Sequence, residues 1–328
     1  MVIFMREVLI EKNDSGQRLD KFLQKKFKTM PKSLMYRYLR TKYIKLNGKK
    51  TDGDVFLKKG DVLTFYIKDE FFENSHSPKK YEFLKAPKKF DIVYEDENII
   101  LIDKKPGLIV HPDKNYHFDS LVARVKHYLY DKKEYNPENE NSFSPALVNR
   151  LDRNTGGIVI AAKNAEALRI LNDKMKTRQI KKYYLCLVEG HLKKKSDIVT
   201  GYVTKNEAKN KVIVKSSKSE NSKEIKTGYK VIKEDKSSSL LEIELFTGRT
   251  HQIRAQMAYL GHPLLGDSKY SNINNGRKNK TTPDKYKYQT LYSYRLVFSF
   301  SDDAGILNYL NGREFTVKAV PFVKDFGT

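Results

Sequence analysis

Asn149-Arg150-Leu151-Asp152-Arg153-Asn154-Thr155-Gly156-Gly157 runs directly into Ile158-Val159-Ile160-Ala161-Ala162. The second part is a short continuous apolar run of the kind that forms a buried strand. The Thr-Gly-Gly that precedes it reads as a turn at the strand's mouth. A carboxylate held between two arginines beside a core strand makes Asp152 the first candidate for chemistry. The competing reading is local, with Asp152 capping a turn and pairing with a neighbouring arginine, since Asp favours turns for its own reasons.

Further strands are predicted at Asn98 to Asp103, Tyr183 to Glu189, Leu240 to Phe246 and Leu291 to Phe300. Helices are predicted at Leu121 to Tyr130, Ala165 to Arg178 and Thr250 to Leu260. The alternation Leu241-Glu242-Ile243-Glu244-Leu245 marks a half-exposed strand of an antiparallel sheet. Strand and helix do not alternate regularly enough for a doubly wound sheet, so the expected class is α+β with a mixed, largely antiparallel sheet. Ser271 to Thr290 is polar and lysine-rich and reads as an exposed insertion. Lys193 to Lys195 and Ser217 to Lys223 read as loops.

The first 70 residues form a separate small α/β unit. Leu19, Phe22, Leu23 and Phe27 make a helical stripe, and a second helix is expected over Ser33 to Arg40. A strand then enters the Asn47-Gly48 turn, and a further strand pair is expected around Val55 and Val62 to Phe65. Residues 16 to 50 carry 12 Lys or Arg, among them Arg18, Lys21, Lys25, Lys32, Arg37, Arg40 and Lys45, against one acid, Asp20. That excess is the footprint of an RNA-binding face; the alternative is a solvated lysine-rich surface. Residues 71–90 mix Pro, Ser, Lys and isolated aromatics without period and read as a linker, leaving 91–328 as the main domain.

Of the 328 residues, 63 are Lys or Arg and 40 are Asp or Glu, a formal net charge of +23 that points to a polyanionic partner. The single cysteine, Cys186, has no partner for an internal disulfide and is expected to pack as a small buried hydrophobe. Seven scattered histidines with no ligand spacing lead to the expectation of no metal and no cofactor. The N-terminus is too short for a signal-peptide apolar core and no long apolar segment follows, so the expectation is a cytoplasmic, monomeric protein away from membranes.

Two resemblances add to this reading. The order helix, helix, Ile44-Lys45-Leu46-Asn47-Gly48, then Lys58-Lys59-Gly60-Asp61-Val62 resembles the S-four RNA-binding domain over residues 16–67. The main domain has four segments in order: Lys104-Lys105-Pro106-Gly107-Leu108-Ile109-Val110-His111-Pro112, the Asp152 stretch, Lys181-Lys182-Tyr183-Tyr184, and Phe246-Thr247-Gly248-Arg249-Thr250-His251-Gln252-Ile253-Arg254, the last followed by Leu260 to Asp267. Together they resemble the RluA-type pseudouridine synthases, notably the subfamily acting on large-subunit ribosomal RNA.

The resemblance implies an RNA uridine isomerase in which the uracil leaves its sugar, rotates and reattaches through carbon. It assigns catalysis to Asp152, Tyr184 and Arg254. An ionised carboxylate adds to the sugar or base, or stabilises a cationic sugar. Arg254 pairs with it, and Tyr184 stacks on the flipped base. Arg150 fills the vacated stack, where a planar guanidinium suits better than an ammonium. Arg249, His251 and Gln252, with Thr250, bind RNA phosphate or order their loop, and His111 is structural or an RNA contact. One leucine of Leu291-Tyr292-Ser293-Tyr294-Arg295-Leu296 is expected beneath the pocket. Tyr184 could instead fill a core and Arg254 sit on a helix surface.

Asn149, Gly156 and Tyr292 stand where that family more often has His, Ser and His. The alternatives are the same chemistry on transfer RNA, a non-catalytic RNA-binding protein on this fold, and a glycosidase. The last usually needs a second carboxylate, and none stands out in the sequence.

Overall fold

The computed structural model describes residues 5–73, 78–113, 118–206, 211–271, 285–324 and 326. The chain begins with β1 (Met5–Leu9), α1 (Leu19–Lys26), α2 (Lys32–Arg40), β2 (Ile44–Leu46), β3 (Lys49–Lys50) and β4 (Val62–Tyr66), ending in the single turn α3 (Glu70–Glu73). The four strands make an antiparallel sheet in the order β1-β4-β2-β3. Leu19, Phe22, Leu23 and Phe27 pack on its inner face with Ile44, Leu63 and Phe65, as the helical stripe requires. The strand expected around Val55 is absent. Phe56 makes only an isolated bridge to Arg18, and β4 pairs with β1 and β2 instead.

The main sheet is built from β5 (Asp91–Glu95), β6 (Ile99–Lys104), β7 (Ala146–Leu147), β8 (Gly156–Ala162), β9 (Ile180–Glu189), β10 (Ser196–Asn206), β11 (Lys211–Lys215), β12 (Lys223–Glu234), β13 (Ser238–Leu245), β14 (Leu291–Phe298) and β15 (Glu314–Thr316). Its order is β11-β10-β12-β13-β9-β14-β8-β6-β5, with β15 on β14 and β7 on β8. Every described pairing is antiparallel except β14 with β8. The fold is α+β, as expected. The helices are α4 (Leu121–Asp131), α5 (Ala165–Lys176), α6 (Gln252–Tyr259) and the short α7 (Pro321–Lys324). Ser120 caps α4 and Asn164 caps α5, each side chain accepting from the third residue on.

β8, and β6 up to its terminal Asp103-Lys104, are continuous apolar runs because both of their faces are covered. Ile158 and Ile160 point with Ile99 and Leu101 into the α5 side, while Val159 and Ala161 point with Ile100 and Ile102 into the α4 side. The run Ile158 to Ala162 is therefore buried on both faces, and the loop ahead of it emerges at the strand's end. Cys186 is buried in β9. No helix among the described residues is long and apolar enough to cross a membrane.

Two expectations need correcting. Residues 71–90 are not a free tether: Phe71 and Phe72 complete the first core, while Phe83 and Ala86, in and just after a 3-10 helix over Pro78–Lys85, are buried against α4. The insertion at Ser271 to Thr290 falls largely outside the described residues. Its end is not exposed, since Gln289 and Thr290 are buried and the Thr290 hydroxyl donates to the carbonyls of Leu187 and Leu265.

Candidate active site

Four chain segments converge on one cleft of about 1120 Å³. Asp152 sits in the loop ahead of β8, where the amide of Thr155 closes a turn on its carbonyl (3.0 Å). The loop is tied to the segment after β6, with Gly107 N donating to Arg153 O at 2.9 Å and Arg153 Nε to Gly107 O at 3.1 Å. At the strand mouth Gly157 has φ +113°, and a Cβ there would stand 2.2 Å from the Ser293 carbonyl oxygen, so only glycine fits between β8 and β14.

Beneath the loop lies Lys104, fully buried, whose Nζ donates to the carbonyls of Lys105, Leu108 and Arg153 at 2.9–3.1 Å. Burial pushes this ammonium down to about 7, opposed by the carboxylates of Asp152 and Asp103. Three carbonyl acceptors match three N–H donors, a set that only the protonated amine offers.

Arg254, on α6, is buried rather than on the helix surface. Its Nη1 donates to Asp152 Oδ2 at 2.8 Å, while Nε and Nη2 grip Asp267 at 2.7 and 2.8 Å. This is a two-pronged fork on one carboxylate with a third N–H on the other. Asp267 is wholly buried and also accepts the amides of Lys269 and Tyr270, so it fixes Arg254 from behind. The Asp152 carboxylate keeps partial access to the cleft, at 29% exposure. The Arg254 guanidinium carbon lies 5.2 Å from the Tyr270 ring centre.

Tyr184, on β9, lines the same cleft. Burial pushes its hydroxyl up to about 12; the Ser293 hydroxyl opposes this and the Asp152 charge adds to it. The group is a neutral phenol at any working pH. His251 stands at the head of α6 in the left-handed region (φ 51°), its Nδ1 2.9 Å from the Tyr270 hydroxyl and its Nε2 3.8 Å from Asp152 Oδ2. Burial lowers its pKa, with Asp152 pulling the other way. Arg150 and Arg249 are exposed on the cleft wall. His111 also lines the cleft, its pKa lowered by burial, Arg150 and Lys126. Leu291 is the leucine at the pocket, whereas Leu296 belongs to the α5-side core.

The structure thus brings Asp152, Tyr184, Arg254, Arg150, Arg249 and His251 together. For Gln252 the RNA contact gives way to the loop-ordering alternative. Although it touches the cleft, it is buried and its amide is fully used: Oε1 accepts from Thr247 and from Arg249 N, and Nε2 donates to Thr227 and Lys226 O. It orders the loop and has nothing left for a phosphate. Asp267, Tyr270 and Lys104 were missed as site residues. The signal for Asp267 was a second carboxylate thirteen residues beyond an arginine already singled out. Being buried and held by Arg254, it cannot serve as the exchanging acid of a glycosidase pair. Among the described residues no cluster of three or more His, Cys, Asp or Glu is placed to hold a metal.

On the small unit, Lys21, Lys32, Arg37 and Arg40 are exposed and make no side-chain pair among the described residues. Asp20 is buried and taken up by Arg18 and Tyr36. Arg18 is therefore half-committed to an internal ion pair. Lys25 donates to Gln17, and Lys45 lies over the Tyr66 ring.

The sequence matches the family model for RNA pseudouridylate synthase over residues 98–259. An uncharacterised RNA pseudouridine synthase of Mycoplasma capricolum is 34% identical over 318 residues, covering 94% of this chain and 96% of the relative. Ribosomal large subunit pseudouridine synthase C of Vibrio cholerae is 32% identical over 263 residues, 80% of this chain and 79% of the relative. Among solved structures, human RNA pseudouridylate synthase domain containing 4 shares the fold with TM-score 0.55, at 20% identity over 71% of this chain and 89% of that one.

Proposed function

The chain belongs to the RNA pseudouridine synthase family, and we propose that the uridines it isomerises lie in large-subunit ribosomal RNA. What supports that substrate is the kinship with synthase C proteins of several bacteria at 30–34% identity over about four fifths of the chain. A second support is the set of unpaired cations on the small unit, which we read as an S-four-type RNA-binding face.

The observation that carries the catalytic reading is the Asp152–Arg254–Asp267 chain at the floor of an open cleft. Isomerisation breaks the bond from uracil nitrogen to the sugar and rebuilds it from carbon, so positive charge develops on the sugar or a carboxylate bonds to it or to the base. Asp152 meets either need only as an anion, and Arg254 Nη1 holds its carboxylate at 2.8 Å. With its proton retained to about pH 12, Tyr184 supplies a flat ring for the base and an O–H to donate, and it is no general base at neutral pH. Arg150, exposed at the rim and without a side-chain partner among the described residues, fills the stack the base leaves in this reading.

Mapping pseudouridines in ribosomal and transfer RNA from cells with and without the protein tests the substrate. The expected outcome is loss at defined large-subunit positions with transfer RNA unchanged. Loss confined to transfer RNA would reassign it.

A further inference from the structure

Side chains alternate across a strand, so Lys182 projects from the same face of β9 as Tyr184, roughly 7 Å upstream. Both line the cleft. Lys104 has three carbonyls, Lys163 has Glu95 and Glu134, and Lys174 has Asp302, while Lys126 on α4 shares with Lys182 a pKa lowered by burial and no carboxylate against it. Lys182 makes no side-chain hydrogen bond or ion pair among the described residues. Burial lowers its pKa, and no carboxylate opposes that. The carboxylates lining the cleft are Asp113 and Asp152, and neither acts on it. Its ammonium stands 3.6 Å from where a Cβ would lie on Gly248, so the bare glycine leaves it an open approach. Lys182 is half-buried; even a partial loss of water is costly for a cation without a counter-charge, and such groups gather at functional sites. Arg249, Lys205 and Lys223 line the same cleft, which makes its wall rich in cations and suits it to an anion that arrives with the ligand.

We propose that Lys182 binds a backbone phosphate adjoining the target uridine. One rigid strand would then hold both ends of the nucleotide, with the Tyr184 ring at the base and the Lys182 ammonium at the phosphodiester. This rests on the RNA-isomerase reading, in which the phosphodiester is the only anion the substrate offers.

The test uses the full-length protein and a short RNA that it converts, taken from whichever RNA the mapping identifies. Failure of the ribosomal assignment then changes the fragment and not the test. Lys182→Met keeps the apolar stem and removes the charge. KM should rise roughly 10- to 100-fold, as for a lost hydrogen bond to a charged group, with kcat within a few-fold of wild type. The slope of log KM against log salt should fall by about 0.7–0.9, the share of one phosphate. Lys182→Arg should restore most of the loss. An uncharged methylphosphonate beside the target uridine should penalise the wild-type protein by a similar factor and Lys182→Met no further. That arm is read on the wild-type protein and does not depend on how the variant folds. The proposal is overturned if no linkage beside the uridine penalises wild type, or if Lys182→Met keeps the wild-type KM and salt slope.

Discussion

At Asp152 charge and fold can be separated. The carboxylate is partly exposed and takes one N–H of Arg254, a contact that an amide oxygen can keep. Asp152→Asn should therefore melt within a few degrees of wild type and still bind RNA, while kcat falls by about four orders of magnitude or more. Turnover near wild type in a single-round isomerisation assay would remove Asp152 from the chemistry. Arg254 behaves differently because it serves two carboxylates. Arg254→Ala leaves Asp267 buried without a counter-charge, which costs about 3–5 kcal/mol. Chemical denaturation should show a midpoint lowered accordingly, and an unchanged midpoint would mean that Asp267 takes another partner. That Asp152, Tyr184 and Arg254 share one cleft was legible because each lies in a short stretch of distinctive composition. Asp267 was quoted among them and given no role, since only the folded helix aims Arg254 backward onto it. Between binding phosphate and ordering its loop, the sequence left Gln252 open, because the partners that decide it lie on β12, 25 and 26 residues away.

At the scale of elements, the parallel contact of β8 with β14 explains two of the unusual residues together. Tyr292 pairs with Gly156, and a Cβ on that glycine would stand 2.3 Å from the Tyr292 ring. The Tyr292 hydroxyl reaches across to donate to Asp103 at 2.6 Å, at the end of β6. The larger ring at 292 thus requires the missing side chain at 156. The third, Asn149, replaces a strand neighbour, accepting from Ile160 N and donating to Ile158 O. Gly156→Ala should destabilise by about 1–3 kcal/mol through overpacking, and the added Tyr292→His should recover part of that. Thermal melts of both single variants and the double variant measure the coupling; strictly additive losses would deny it. The core strands β6 and β8 were legible because burial on both faces leaves a continuous apolar run. β10, β11 and β12 were not recognised. Their outer faces carry lysines and exposed Ile198, Ile213 and Ile232, so neither a clean alternation nor an apolar run appears.

At the scale of the molecule, the small unit is seated on the catalytic body through amides, a hydroxyl, carboxylates and one ammonium, which no periodicity announces. The jump in basic charge marked that unit in the sequence, but nothing there marked its contact face. Buried Asp14 accepts from Asn141 Nδ2 and Ser142 Oγ, both at 2.8 Å. Gln17 donates to Ser142, Lys26 to Asn141, and Asn13 to Glu140 at 2.7 Å. Burial and the charge of Asp14 raise the Glu140 carboxyl to about 7, with the Asn13 bond opposing them. A carboxyl raised above its ordinary value holds its proton more tightly in the seated state. Its contribution to seating is thus complete below about pH 4.5 and is lost as pH rises through about 7. At constant ionic strength the radius of gyration from small-angle scattering should therefore increase between pH 5 and pH 8, as the unit spends more time away from the body. In Glu140→Gln, which cannot ionise, the radius should hold its low-pH value across that range. Equal radii at both pH values in the wild-type protein would show that Glu140 exerts no control over the seating, and that the remaining bonds of Asp14, Gln17 and Lys26 hold the small unit on the catalytic body regardless of its charge.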